Sequence, residues 1–356
     1  MNRILFAGGG TAGHIEPAWA VSQVWQARFP GDEIAFLGTK FGQEIEVIPS
    51  RGGKLFLIPK VTAPRKLTLS TLVFPFKILS AISQSIRIVG KFDVVVGFGG
   101  YVSASAYLAA KMLNKPVVLH DQNAKLGIAN KLGSKFAKEV LLAYPQTAGI
   151  NSSRMKNIKV VGNPLRTQIV EAARAAELDW AKARANAKSK LGITGPLVLI
   201  LGGSSGSTSI NEVIADSKFE NCTVIHSVGK ENVLPKATSN YRPVNYIEDI
   251  ATALLASDLV ITRSGAIATT EFAALGKYAL FIPLPIGNGE QALNANELIM
   301  AHKGEVISQK EFTSSWLNSN LERLITQGSV AAYGTNLNSA ELIADAIERA
   351  ISGGAR

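Results

Sequence analysis

Short β-branched runs recur along the first half of the chain. They stand at Ile34-Ala35-Phe36-Leu37, Asp93-Val94-Val95-Val96, Val117-Val118-Leu119, Glu139-Val140-Leu141-Leu142 and Lys159-Val160-Val161, with longer amphipathic stretches between them. Runs that stay apolar throughout belong to strands buried on both faces, and their alternation with helical spacing predicts βαβ units in a parallel sheet covered by helices. After Gly162-Asn163-Pro164 the rhythm pauses for an Ala-rich, charged stretch of helical character up to Leu191, and then it restarts. Leu197 to Leu201 breaks into Gly202-Gly203-Ser204-Ser205-Gly206-Ser207, much as Ile4 to Ala7 breaks into Gly8-Gly9-Gly10. Further strands are expected at Thr223 to His226, Asp258 to Thr262 and Ala279 to Pro283.

This repetition predicts an α/β protein of two doubly wound domains facing across a cleft and hinged near Asn163-Pro164. Residues 1–163 form the first, completed by 337–356, whose helix over about Ser339 to Ile351 crosses back. Residues 164–336 form the second. Ligands of such sheets bind beyond the carboxyl ends of the strands, so the chemistry is expected there.

The most apolar stretch is Leu67 to Gly90, LTLSTLVFPFKILSAISQSIRIVG. Pro75, Lys77 and Arg87 interrupt it below the roughly 20 apolar residues that a spanning helix needs. Two readings stand: a half-buried core helix, or a helix lying on an anionic membrane surface within the basic rim of Lys60, Arg65, Lys66, Lys77, Arg87 and Lys91.

Composition narrows the classes. The chain has 356 residues, 47% apolar and 18% charged, a globular balance with room for two domains. Its 37 Lys and Arg exceed its 27 Asp and Glu by ten, which favours an anionic partner without choosing among nucleic acid, phosphorylated substrate and acidic membrane. The lone Cys222 excludes an intramolecular disulfide, and the four histidines lack zinc-ligand spacing. The apolar run before Gly8 is too short for a signal peptide, so a cytoplasmic location is expected. Basic charge without an RNA-binding aromatic pattern or a groove-reading motif argues against nucleic acid.

Phe6-Ala7-Gly8-Gly9-Gly10-Thr11-Ala12-Gly13-His14 is a strand-to-glycine-to-helix turn of the kind that presents backbone N–H groups to phosphate. Gly8, Gly10 and Gly13 satisfy G-x-G-x-x-G. A nicotinamide site also wants an acidic residue at the end of the second strand, where this chain has Gly38-Thr39-Lys40, and a dehydrogenase is therefore disfavoured. His14 stands at a helix entry, where the backbone dipole disfavours imidazolium; it is a candidate proton acceptor, or else a capping and packing histidine. Gly97-Phe98-Gly99-Gly100-Tyr101 is a second such turn, for a phosphate-bearing ligand or for close packing of helix on strand. His120-Asp121-Gln122-Asn123 brings four polar side chains to the sheet edge, although Asp121 could simply cap a helix. In the second half, Arg263-Ser264-Gly265-Ala266 opens a helix that contains Glu271, a candidate acceptor for ribose hydroxyls. Gly287 to Asn294 offers polar groups to a sugar. No Asp-x-Asp pair occurs, so helix N-termini would have to neutralise a diphosphate leaving group.

In this order, GGTAGH, GFGGYVSA, HDQN, GNPLR, GGSSGS, TRSGAIATTE and GEQALNA resemble the MurG family of peptidoglycan glycosyltransferases over nearly the whole chain. The resemblance implies two Rossmann-like domains of the GT-B type. It also implies inverting transfer of N-acetylglucosamine (GlcNAc) from UDP-GlcNAc to the 4-hydroxyl of undecaprenyl-pyrophosphoryl-MurNAc-pentapeptide, lipid I, with no cofactor and no metal. His14 is implied as the base. Thr11 and Asn123 are implied on the GlcNAc, Arg166, Ser204 and Ala266 at the diphosphate, the Ile247 backbone on uracil, Glu271 on ribose and Gln291 on the sugar. Gly9, Gly10, Gly13, Gly99, Gly100 and Tyr101 are implied in the loops around the acceptor's pyrophosphate. The family further implies peripheral attachment to the cytoplasmic face of the cell membrane, and partners among cell-wall synthesis and division proteins. The chain departs from the pattern at Ala12, Asp121, Ser205, Ala268 and Glu290; loss of a threonine hydroxyl at 268 leaves backbone N–H groups and Thr269 for the phosphate. Another GT-B transferase with a different lipid acceptor, and a non-catalytic nucleotide-sugar or nucleic-acid binding module, are the competing readings.

Overall fold

The computed structural model describes residues 1–61, 69–150, 157–203, 205–285, 289–328 and 336–353. The chain divides into two compact units, Met1–Leu165 with Asn336–Arg356, and Arg166–Thr335.

The first unit is built on seven parallel strands: β1 Arg3–Ala7, β2 Glu33–Gly38, β3 Leu55–Leu57, β4 Val94–Gly97, β5 Val117–Asp121, β6 Glu139–Leu142 and β7 Ile158–Val160, in the order β3-β2-β1-β4-β5-β6-β7. Alternate residues of β1 serve opposite faces. Ile4 and Phe6 join the core under the helices Ala12–Arg28 and Ser339–Ser352, while Leu5 and Ala7 join the core that holds the helix Gly100–Met112. The connections after β1 and β4 thus leave to opposite faces, and the strand order reverses between them.

The second unit repeats the plan with β8 Leu197–Leu201, β9 Thr223–Ser227, β10 Tyr241–Val244, β11 Leu259–Thr262, β12 Ala279–Phe281 and β13 Gly304–Val306, in the order β10-β9-β8-β11-β12-β13. All its pairings are parallel, and the order reverses between β8 and β11.

The central strands are the runs that the apolar pattern marks. Leu55–Leu57, Tyr241–Val244 and Gly304–Val306 escape it, and each is an edge strand. An edge strand is covered less completely, so a continuous apolar run is not required, and Pro243 is tolerated because an edge need not donate on its outer side. The helical stretch before Leu191 is two helices, Thr167–Leu178 and Trp180–Leu191; extended Asp179 separates them, its carboxylate accepting from the Lys182 N–H at 3.0 Å to cap the second. Among the described residues no helix is long and apolar enough to cross a membrane.

Each unit buries one histidine in its sheet. Nε2 of His120 meets the Gly162 carbonyl at 2.9 Å and therefore donates. Nε2 of His226 donates to Asn211 Oδ1 at 3.0 Å, and its Nδ1 accepts from the Tyr241 hydroxyl at 2.8 Å. Burial lowers both imidazoles from 6.5 to about 4. The unfolded chain binds more protons than the folded one between those values, so stability is full above about 6.5 and is lost as pH falls toward 4. The thermal midpoint is expected to drop across that window, and the drop to be shallower in His226→Gln. Equal slopes in parent and variant by scanning calorimetry would remove His226 from the acid response.

Candidate functional site

At the switch point of the first unit, the turn after β1 carries Gly8 to Thr11, and the turn after β4 carries Phe98 and Gly99. They lie close together: a Cβ added at Gly100 would come within 3.0 Å of the Gly9 carbonyl oxygen, and Gly100 holds a positive φ of 81°. Gln122, buried, joins them, its Nε2 donating to the Gly13 carbonyl at 2.9 Å and to the Phe98 carbonyl at 2.8 Å. Ser103 adds bonds from Oγ to the carbonyls of Ala7 and Gly99. Gly97 is a packing glycine, because a Cβ there would overlap the Tyr107 ring.

His14 occupies this junction in the first turn of the helix Ala12–Arg28, half-buried. Its Nδ1 lies 3.2 Å from Thr11 Oγ1, and its ring flanks Gly99, where a Cβ would meet Cδ2 at 3.3 Å. Thr11 is the N-cap of that helix, yet its hydroxyl turns to the imidazole rather than to a backbone N–H. Tyr101 is exposed beside the second turn.

Two amides of the first turn are already engaged. The Gly10 N–H donates to Glu44 Oε2 at 2.7 Å, and the Ala12 N–H donates to Gln43 Oε1 at 3.0 Å. The N–H of Gly10, in the loop that the resemblance implies around a pyrophosphate, thus points at a side chain of its own unit. Sequence reading missed Glu44, whose signal is a glutamate that follows two glycines, Gly38 and Gly42, just after a buried strand.

His120 and Asp121 are the last two residues of β5 rather than the start of the loop after it. Asp121 does not cap the next helix, Ile128–Gly133, through a side-chain bond to its first-turn N–H groups; it ties down the loop that leads to that helix. Its oxygens accept from the N–H groups of Asn123 at 3.0 Å and Gly127 at 2.8 Å and from the Asn130 amide at 3.0 Å. Burial nevertheless raises its carboxyl, against the lowering effect of those bonds. Asn123 also bonds Asp121 through its side chain.

In the second unit, β8 and β11 carry the turns Gly202 to Ser207 and Arg263 to Gly265. Arg263 is the clamp between them: one guanidinium nitrogen donates to Ser207 Oγ at 2.9 Å, Ser209 Oγ at 2.9 Å and Gln309 Oε1 at 2.7 Å, and the other to the Ile282 carbonyl at 2.9 Å. Ala266 is the first residue of the helix Ala266–Ala274, with extended Gly265 before it. The Thr269 hydroxyl donates to the Ala266 carbonyl at 2.8 Å, so this hydroxyl is committed to its own helix. Glu271, only 3% exposed, forms a bidentate pair with Arg166: Nε to Oε1 at 2.8 Å and Nη2 to Oε2 at 2.8 Å. These two residues, read separately from the sequence, are one ion pair. Gln291 accepts from the Leu284 N–H at 3.0 Å, and Asn294 donates to the Ser264 carbonyl at 3.2 Å. Ile247 is half-buried in the loop after β10. Ser204 lies outside the described residues, as do Arg65, Lys66, Gly287 and Asn288.

Residues 4–142 match the glycosyltransferase family 28 N-terminal domain, and residues 197–349 match its C-terminal domain. The chain is 37% identical, over 99% of both chains, to the UDP-N-acetylglucosamine–N-acetylmuramyl-(pentapeptide) pyrophosphoryl-undecaprenol N-acetylglucosamine transferase of Streptomyces coelicolor. It is 39% identical to the transferase of the same name from Corynebacterium diphtheriae, over 97% of this chain and 96% of that one. Among solved structures it is similar to Acinetobacter baumannii MurG, with 28% identity, a TM-score of 0.72, and 98% and 100% of the two chains covered. The calicheamicin glycosyltransferase CalG4 shares the fold at 14% identity and a TM-score of 0.66, with 100% of both chains covered.

Proposed function

The chain belongs to glycosyltransferase family 28, and from that membership we infer that it moves GlcNAc from UDP-GlcNAc to lipid I, making the disaccharide lipid of peptidoglycan synthesis. Near-complete coverage of relatives that carry this activity in their names is the observation that bears most of the weight. It favours this acceptor over a different lipid.

The first unit takes the acceptor and the second takes UDP-GlcNAc. His14 accepts the proton of the MurNAc 4-hydroxyl as that oxygen attacks the anomeric carbon, and attack opposite the departing UDP inverts α to β. Thr11 Oγ1 beside Nδ1 orients the imidazole for this step. Charge developing on UDP is met by the amino end of the helix Ala266–Ala274 and by Arg166. Because Arg166 and Glu271 are paired, the donor engages them together, the guanidinium toward phosphate and the carboxylate toward ribose.

The helix Leu69–Val89 is the surface that we assign to the membrane. Ala81, Ser85 and Val89 are buried at four-residue spacing, while Phe76 is 70% and Leu79 64% exposed beside exposed Lys77, with Arg87 exposed near the end of the helix. Exposed apolar side chains among cations suit the headgroup boundary of an anionic bilayer, where the lipid acceptor resides. Peripheral attachment at the cytoplasmic face follows from that reading.

Incubation with radiolabelled UDP-GlcNAc and a lipid I analogue is expected to yield labelled disaccharide lipid. Label appearing only with a different lipid acceptor would overturn the assignment. His14→Ala should lower kcat by roughly 10²- to 10⁴-fold with UDP-GlcNAc affinity and melting temperature close to the parent; a few-fold loss on a parent-like fold would exclude His14 as base. Lys77→Gln with Arg87→Gln should weaken binding to anionic vesicles by about 1 kcal/mol per charge, less in high salt, and equal cosedimentation of variant and parent would return this helix to a packing role.

A further inference from the structure

Glu44 is 1% exposed and sits inside the ring of backbone that shapes the first turn. Its Oε2 accepts from the Gly10 N–H at 2.7 Å; its Oε1 accepts from the Thr39 N–H at 2.9 Å and from Thr39 Oγ1 at 3.3 Å. Among the described residues no cation pairs with it. A buried carboxylate held by neutral donors alone is costly unless each donor is well placed, so its removal leaves those donors unsatisfied.

The glycines around it are explained by this carboxylate. A Cβ at Gly9 would meet Oε1 at 2.6 Å, and a Cβ at Gly38 or Gly42 would overlap the same side chain. Three glycines from two separate segments thus clear space for one glutamate. What it holds is Gly10, at φ +95°, the residue immediately before Thr11, whose hydroxyl faces His14. The adjacent Gln43 holds Ala12 from the same side. The segment Gln43-Glu44 is therefore a template for the turn that ends at the imidazole.

We propose that Glu44 is a positioning residue for the transfer reaction, setting the Gly10–Thr11 backbone and through it the orientation of His14. The proposal rests on the reading of His14 as the base. It assigns Glu44 no contact with either substrate and predicts that its effect passes through His14.

The test compares Glu44→Gln, Glu44→Asp, His14→Ala and Glu44→Gln/His14→Ala in the full-length protein. Gln has the same shape but turns an N–H₂ toward either Gly10 or Thr39, both donors. Glu44→Gln should lower kcat by about 10- to 100-fold, the scale of a misplaced catalytic group. The UDP-GlcNAc Kd should stay within two-fold of the parent, and the Gly10 amide proton should move upfield in NMR spectra. Glu44→Asp, which keeps the charge, should recover part of kcat. The double variant should be no slower than His14→Ala, because an effect routed through the imidazole disappears when the imidazole is gone. If Glu44→Gln melts lower yet turns over like the parent at a temperature where both are folded, or if the two losses multiply, the inference is overturned. A parental rate in His14→Ala would instead sink the reading of His14, so the two failures are distinguishable. Should Glu44→Gln fail to fold, Glu44→Asp alone decides: parental kcat overturns the proposal, and reduced kcat with unchanged donor Kd supports it.

Discussion

A parallel strand cannot be joined to its neighbour by a tight turn, so each strand of both sheets needs a long crossover at its carboxyl end, and most of them deliver the chain into a helix there. In the first unit the connections after β1 and β4 leave to opposite faces, shown by the separate cores that Ile4 and Phe6, and Leu5 and Ala7, enter. A reversal of strand order leaves backbone at that edge with no further strand to cover it. Both units have one, β1/β4 and β8/β11, and the glycine turns stand there.

The two switch points are stabilised by different chemistry. In the first unit neutral amides and one carboxylate do the joining: Gln122 spans the two turns, Ser103 ties β1 to the second turn, and Glu44 fills the space behind the first. In the second unit a guanidinium has that task, Arg263 gathering Ser207, Ser209, Gln309 and the carbonyl of Ile282. A fork of N–H donors suits a loop rich in hydroxyls and carbonyls, and a carboxylate suits one whose free groups are N–H. The Arg166–Glu271 pair adds a charged but nearly neutralised element. A nucleoside diphosphate, with anionic and hydroxyl parts, can address each member of that pair.

Net positive charge takes its meaning from placement. Several cations are internal or tied to carboxylates: Arg349 and Lys159 on Glu139, Arg184 and Lys188 on Asp258, Arg323 on Glu305. Lys277, fully buried, donates to the carbonyls of Leu255 and Ser257, and burial lowers its ammonium well below the ordinary lysine value. An excess of ten is therefore not a uniform field. Lys77 and Arg87 remain on the exposed side of a helix that also exposes Phe76 and Leu79.

From the sequence alone, the central strands, the restart after Gly162-Asn163-Pro164 and the helix near the C-terminus were legible, because two-sided burial forces continuous apolar runs and helices force 3.6-residue spacing. Three edge strands, Leu55–Leu57, Tyr241–Val244 and Gly304–Val306, were not, since edges need no such run. Seven ordered motifs carried the family, and with it the activity. Pairing was invisible: no spacing says that Arg166 and Glu271 face each other across 105 positions, that Asp121 spends its oxygens on the loop that follows it, or that Gly10 donates to Glu44 thirty-four residues on. A side chain's role at a sheet edge depends on what the next strand and helix bring beside it, and that is decided only when parallel strands distant in sequence come into register.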